Sequence, residues 1–176
     1  MKYVRIHIYA FEPDRKAYEH LKHRVNNKNI SIYNYGLSNV SGTKSFFNRI
    51  DSIGGEHSSL YKEVITDLHH VEYVEDKLDF ITIDQFVKEN DIKHIDLLKI
   101  DVEGHELAVL EGAKETLKKG IISAIQFEFN EMFVVSRVFF KDFIKILPGF
   151  SFYRLLPDGM IKFESYTPIL HEIFAF

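Results

Sequence analysis

The run Asp101-Val102-Glu103-Gly104-His105-Glu106 packs three carboxylates and an imidazole into six residues. Three acids within six residues exceed what capping one helix terminus needs. Such a group can take a proton from a hydroxyl, orient that hydroxyl, or hold a cation. Asp101 leaves an apolar run, while Glu103 and Glu106 fall in the first helical turn. Gly104 permits a close approach of backbone to ligand. His105 carries a side chain whose ordinary pKa suits deprotonating a hydroxyl, directly or through water. The plainer reading is a helix start whose acids answer the positive end of the dipole.

Two further acids follow apolar runs. Glu12 ends the segment Val4–Phe11, and an acid there can accept hydrogen bonds from both hydroxyls of a ribose. Its plainer reading is a helix-entry acid next to Pro13. Glu128-Phe129-Asn130-Glu131 follows a second apolar run. If the two strands are neighbours, Asp101, Glu128 and Asn130 converge into an oxygen-rich set that suits Mg²⁺. The simpler role for these residues is to satisfy loop backbone groups. Of the nine histidines, His69 and His70 are adjacent and on a strand would face opposite ways, whereas His57 lies in a polar loop that can reach a site.

These residues need a scaffold, and the hydrophobic pattern supplies one. Alternation predicts a strand over Val4–Phe11 and an amphipathic helix over Pro13–Val25, with Pro13 in its first turn and Asp14 at its positive end. Ile30–Tyr35 reads as the next strand. Ser41-Gly42-Thr43 separates two short runs, so Gly36–Arg49 reads as a hairpin or an excursion, and Asp51–Ser59 as a polar surface loop. Val71–Ile81 is strand-like, and Asp84–Asn90 a short helix capped by Thr82 or Asp84. Ile95–Ile100 is apolar enough for a strand covered on both faces. Leu107, Leu110, Ala113 and Leu117 then mark one helix closed by Gly120. Ile121–Phe129 is a strand and Val138–Leu147 a helix stopped by Pro148-Gly149. Phe150–Leu156, Met160–Phe163 and Leu170–Phe176 are closing strands, the first two joined by a turn at Pro157-Asp158-Gly159. Alternating strands and helices predict an α/β fold with a mainly parallel sheet, helices on both faces and an antiparallel C-terminal hairpin. In such sheets ligands lie beyond the carboxyl ends of the strands, where Glu12, Asp101 and Glu128 fall.

Composition narrows the chemistry. The chain has 176 residues, one domain's worth, with a formal charge of −4 and no basic run. A nucleic-acid partner is not expected on that balance. No cysteine is present, which removes disulfides, thiolate catalysis and cysteine-based zinc sites. No stretch has the length of a membrane span or the pattern of a signal peptide, so a cytoplasmic protein is expected.

AFEP at 10–13, Gly36-Leu37-Ser38-Asn39 with Gly42 following, Ser58-Ser59-Leu60, and IDLLKIDVEGHELAVLEGA at 95–113 resemble the FkbM methyltransferase family in order and spacing. The resemblance runs from Tyr9 to Phe176. It implies a Rossmann-like class I fold that uses S-adenosylmethionine to O-methylate a hydroxyl of a sugar, glycan or natural product. By that likeness Glu12 holds the cofactor ribose, and Gly36, Leu37 and Ser38 face the adenine. Asp101 serves both cofactor and reaction centre, beside Glu103, with Asp101 or His105 accepting the hydroxyl proton. Mg²⁺ at Asp101, Glu128 and Asn130 is an alternative way to activate that hydroxyl.

The family pattern also has a first strand and a glycine-rich turn ahead of its AFEP strand. Here the sequence begins at Met1 and its first glycine is Gly36. The expectation is a single domain over 1–176 that lacks its first βα unit. Two consequences follow: the protein is either a shortened enzyme acting on a small-molecule or glycan acceptor, or a non-catalytic binding module using the same crevice. An open sheet edge would also invite pairing with a second copy, as a homodimer.

Overall fold

The computed structural model describes residues 6–52 and 58–163. The expected closing strand at Leu170–Phe176, the start of the strand expected from Val4, and His57 lie outside them. Strand β1, Ile8–Phe11, runs parallel to β2, Ile30–Tyr33, with Ile8 opposite Ile30. Between them α1 spans Arg15–Arg24. Asp14 sits one position ahead of it in extended conformation and accepts the N–H groups of Lys16 and Ala17 at 2.9 and 2.8 Å. Proline at 13 therefore precedes the cap rather than opening the helix, and Asp14 does by hydrogen bonding what the dipole argument assigned it.

The stretch from Gly36 to Arg49 does not fold back on itself. Strand β3, Gly36–Leu37, and β4, Gly42–Arg49, lie on opposite sides of β5, Tyr73–Ile81, parallel and antiparallel to it respectively. The two runs share β5 as a partner because only β5 is long enough to pair with all of β4. Between β4 and β5 the chain makes a short 3₁₀ turn at Ile50–Ser52 and a π-helical turn at Val64–Leu68, whose Val64 and Ile65 are fully buried.

Helix α2, Ile83–Glu89, is capped by Thr82, whose hydroxyl accepts from Gln85. Asp84 has a different job. Strand β6, Ile95–Ile100, leads into α3, Glu106–Glu111, and after a break α4 follows at Lys114–Lys118. Asp84 reaches across to cap α4, accepting the N–H groups of Glu115 and Thr116 at 2.9 and 2.7 Å. The single helix expected over 107–117 is thus two, broken where Gly112 lies against the Ser38 carbonyl.

Strand β7, Ile122–Phe127, pairs parallel with β6. Two short helices follow, α5 at Met132–Ser136 and α6 at Phe140–Ile146. The antiparallel hairpin of β8, Tyr153–Leu156, and β9, Gly159–Lys162, closes the described chain as expected.

The fold is mixed α/β with parallel pairing in three ladders. Among the described residues the strands form four separate sheets rather than one continuous one. Strand β1 pairs only with β2 there, and β6 only with β7. Both nevertheless rest on α2: Tyr9 and Phe11 meet Phe86 edge-on at 5.4 and 4.8 Å, while Ile83 and Val87 cluster with Ile100. That cluster, completed by Val109, Leu110, Ala113, Phe133, Phe143 and Leu147, is the core. Phe143 is fully buried and stacks on Phe127 with centroids 4.4 Å apart. Burying such a ring contributes about 2–3 kcal/mol. Rigid packing behind β6 and α3 is what fixes the acidic turn between them.

Candidate functional site

A cleft of about 730 Å³ opens at the carboxyl ends of β1 and β6. Glu12, Gly36, Leu37, Asp101, Glu103, His105 and Glu128 all line it, so elements far apart in the sequence converge as the carboxyl-end rule requires. Ser38 and Asn130 are not on its wall. Ser58 and Leu60 from the loop before the π-helical turn, with Phe46 and Phe80, add a side the sequence did not assign to a site.

Glu12 is half-buried and uses Oε1 to accept the Asp14 N–H at 2.8 Å. Burial raises its carboxyl pKa above the ordinary value, and the nearby Asp14 carboxylate adds to the rise against that hydrogen bond. Its backbone is pinned as well: its N–H donates to Tyr33 and its carbonyl accepts from Asn34. The acid is therefore rigid, with one oxygen left toward the cleft.

Gly36 is buried, and a methyl group there would lie 2.3 Å from the Phe80 ring. Close packing, rather than an unusual backbone angle, requires glycine. Ser38 is fully buried: its N–H donates to Ile81 and its hydroxyl lies 2.9 Å from His105 Nε2.

The acidic turn separates into distinct roles. Asp101 is exposed on the cleft, with Lys99 Nζ donating to Oδ2 at 2.6 Å. Glu103 and Gly104 both take positive φ, 54° and 95°, which swings the chain off β6 before α3 begins. The Glu103 carbonyl accepts from Ser59 Oγ at 2.9 Å. Glu106 is not a solvent-facing first-turn acid: it is 1% exposed, and its Oε1 accepts the Val102 N–H at 3.0 Å. Burial pushes its carboxyl up to about 6. His105 is engaged at both ring nitrogens, with Tyr61 Oη 3.1 Å from Nδ1, and burial holds its pKa down to about 4. A ring so placed is a weak base at neutral pH.

These two shifts have opposite signs. Lowered in the fold, the His105 pKa makes the unfolded chain bind that proton first, so stability is lost as pH falls from about 6.5 toward about 4. Raised in the fold, the Glu106 pKa adds stability below about 4.5 that is lost as pH rises through about 6. Glu106→Gln removes the second contribution and leaves the first. Thermal melts from pH 7 to pH 4 are expected to fall more steeply in that variant than in the wild type. Parallel curves would show that Glu106 is not buried as a carboxyl.

The proposed cation set does not assemble. Asn130 donates to Glu128 Oε2 at 3.0 Å and accepts the Met132 N–H at 3.1 Å, so it serves the loop that opens α5. One Asp101 oxygen, Oδ2, pairs with Lys99. Among the described residues no group of three or more His, Asp or Glu side chains is arranged to hold a metal ion. The oxygen donors present do not fit Mg²⁺. No helix among the described residues is long and apolar enough to cross a membrane.

Hexuronic acid methyltransferase AglP of Haloferax volcanii is 27% identical over 117 residues, covering 65% of this chain and 44% of that protein. The chain thus spans less than half the length of that relative. No solved structure matches it. The family model described as the Methyltransferase FkbM domain matches residues 3–152, most of the chain and every cleft residue named above, and the chain belongs to the FkbM methyltransferase family.

Proposed function

We propose that this chain is a single-domain S-adenosylmethionine-dependent O-methyltransferase acting on a hydroxyl of a sugar, glycan or natural product. The observation that carries the reading is the convergence of Glu12 and Asp101 on one cleft from the ends of β1 and β6. In this reading the strands belong to a Rossmann-like sheet, and the family's first strand and glycine-rich turn would lie between β1 and β6, where neither strand has a second partner among the described residues. The acceptor class is supported by the hexuronic acid named for the Haloferax relative.

The residues fit a nucleoside-bearing donor. Glu12 offers a rigid carboxylate with one uncommitted oxygen, suited to ribose hydroxyls. Leu37, Phe46, Leu60 and Phe80 make an apolar wall beside it, suited to an aromatic base. When bound, the donor supplies a methyl on a sulfonium sulfur for in-line displacement by the acceptor oxygen. Asp101 would orient that hydroxyl and take its proton.

Titration calorimetry with S-adenosylhomocysteine tests the reading. The wild type is expected to bind, and Glu12→Gln to bind about 10–100-fold more weakly through loss of a charge-assisted hydrogen bond. A folded wild type that binds neither this product nor S-adenosylmethionine would overturn the enzyme reading. It would leave the binding-module alternative, which the edges of β1 and β6, without a second partner among the described residues, favour.

A further inference from the structure

The loop that brings Ser58 and Leu60 to the cleft is held to the acidic turn by two side-chain bonds. Ser59, which is 1% exposed, donates from Oγ to the Glu103 carbonyl at 2.9 Å. Tyr61 Oη lies 3.1 Å from His105 Nδ1. On its other side the same imidazole reaches Ser38 Oγ at 2.9 Å, and that hydroxyl lies 3.3 Å from Asn39 Oδ1. Asn39 in turn donates from Nδ2 to Glu111 Oε2 at 3.1 Å. Three segments thus meet at one ring: the loop at 58–61, the end of β3, and the start of α3.

Proton counting selects the tautomer. A neutral imidazole has one N–H donor and one acceptor nitrogen. With the proton on Nε2, Tyr61 donates to Nδ1, His105 donates to Ser38, and Ser38 donates to Asn39. Every hydroxyl and ring hydrogen then has an acceptor. With the proton on Nδ1, Ser38 must donate to Nε2, so the Asn39 contact loses its hydrogen and the Tyr61 hydroxyl loses its acceptor. Leaving donors unmet in a half-buried network is costly, which selects the first arrangement.

We infer that His105 is a positioning residue, locked as the neutral Nε2–H tautomer between Tyr61 and Ser38, and that Tyr61 and Ser59 are the clasps that hold the 58–61 loop over the Asp101–Glu106 turn. The clasp keeps Glu103 in its left-handed conformation, because Ser59 bonds the carbonyl that this φ turns outward. Burial and then Lys44 from β4 disfavour an imidazolium, while burial raises the Tyr61 hydroxyl pKa, with the Glu106 and Glu111 carboxylates adding to the rise. The functional meaning of the clasp rests on the methyltransferase reading, but the clasp itself does not.

The test uses the full chain and two readouts that do not need activity. In ¹⁵N-resolved NMR the His105 ring is expected to show an Nε2-protonated, Nδ1-unprotonated pattern that stays unchanged from pH 8 to pH 5. A ring that protonates near its ordinary pKa, or carries its proton on Nδ1, overturns the inference. In Tyr61→Phe, which removes one oxygen and little volume, the ring is expected to populate both tautomers. Amide hydrogen exchange at 58–61 and 103–106 should rise about ten-fold, while β6 and β7 keep their protection. Unchanged exchange at those segments overturns the clasp. A folded variant of Ser59, Ser59→Ala, should loosen the same two segments and leave the tautomer fixed. If the NMR pattern holds and the wild type fails to bind S-adenosylhomocysteine, the function is wrong and the clasp stands.

Discussion

A Gly112→Ala variant is expected to melt about 6–12 °C below the wild type, or to fail to fold. The backbone angles do not ask for glycine here: Gly112 has φ −74° and ψ −2°, which alanine adopts freely. Helical propensity alone would make alanine stabilising by about 0.5–1 kcal/mol. Space reverses the sign. The added methyl would lie 2.1 Å from the Ser38 carbonyl oxygen, 3.0 Å from its carbon and 3.3 Å from Asn39 Cα. All three are backbone atoms of the segment that β5 holds, so none can swing aside. Overpacking of that kind costs about 3 kcal/mol when the backbone must move. Gly36→Ala makes a comparable approach, 2.3 Å, but to the ring of Phe80, which can tilt at lower cost. Gly120→Ala provides the contrast: nothing lies within 4 Å, and only its φ of 65° penalises a side chain. Thermal melts by circular dichroism should therefore rank Gly112→Ala lowest of the three. A Gly112→Ala protein as stable as the wild type would show that α3 does not seat against Ser38. The NMR pattern of His105 should shift in the same variant, since Ser38 is its partner.

That contact also explains what the sequence hid. The apolar run Ile95–Ile100, the acidic turn and the Pro157-Asp158-Gly159 hairpin were legible because each is a local pattern. Residues that meet across the fold were not. Leu107, Leu110, Ala113 and Leu117 keep one helical period, yet α3 and α4 are distinct because Gly112 yields to a carbonyl from another segment. Asp84 sits where it can cap its own helix, yet its carboxylate serves α4. Glu106 carries the same charge as its neighbours in the sequence and alone among the turn's acids is fully buried. Burial depends on α3 facing the core, which no local window reports. Ser59 ends, and Tyr61 follows, a polar loop whose composition reads as surface. Only the Ser58-Ser59-Leu60 element of the family likeness marked that region. Gly36–Arg49 gave a hairpin by its turn signal, and the pairing went to β5 because strand partners are chosen by the whole sheet.

Asp101→Asn is expected to lower kcat for methyl transfer by about 10²–10⁴-fold, the range that loss of a positioned general base produces. Its position leads to this residue. Glu106 is buried away from the cleft wall, and its Oε1 is committed to closing the turn. His105 has both ring nitrogens engaged and a pKa held near 4, so it accepts a proton poorly at neutral pH. Glu128 lines the cleft from the end of β7, and Asn130 donates to its Oε2. Asp101 stands at the end of β6, exposed to the cleft, with one oxygen steadied by Lys99 and the other available to an acceptor hydroxyl. The amide keeps the shape and can still hydrogen-bond a hydroxyl, but it cannot take its proton. The effect should therefore fall on kcat, with KM for the acceptor and affinity for S-adenosylhomocysteine changed no more than a few-fold. Lys99→Met is expected to do less, because it removes the carboxylate's partner and leaves the base. If Asp101→Asn retained kcat within about three-fold, the proton would have to leave by water or by another group, and the chemical step would not centre on β6.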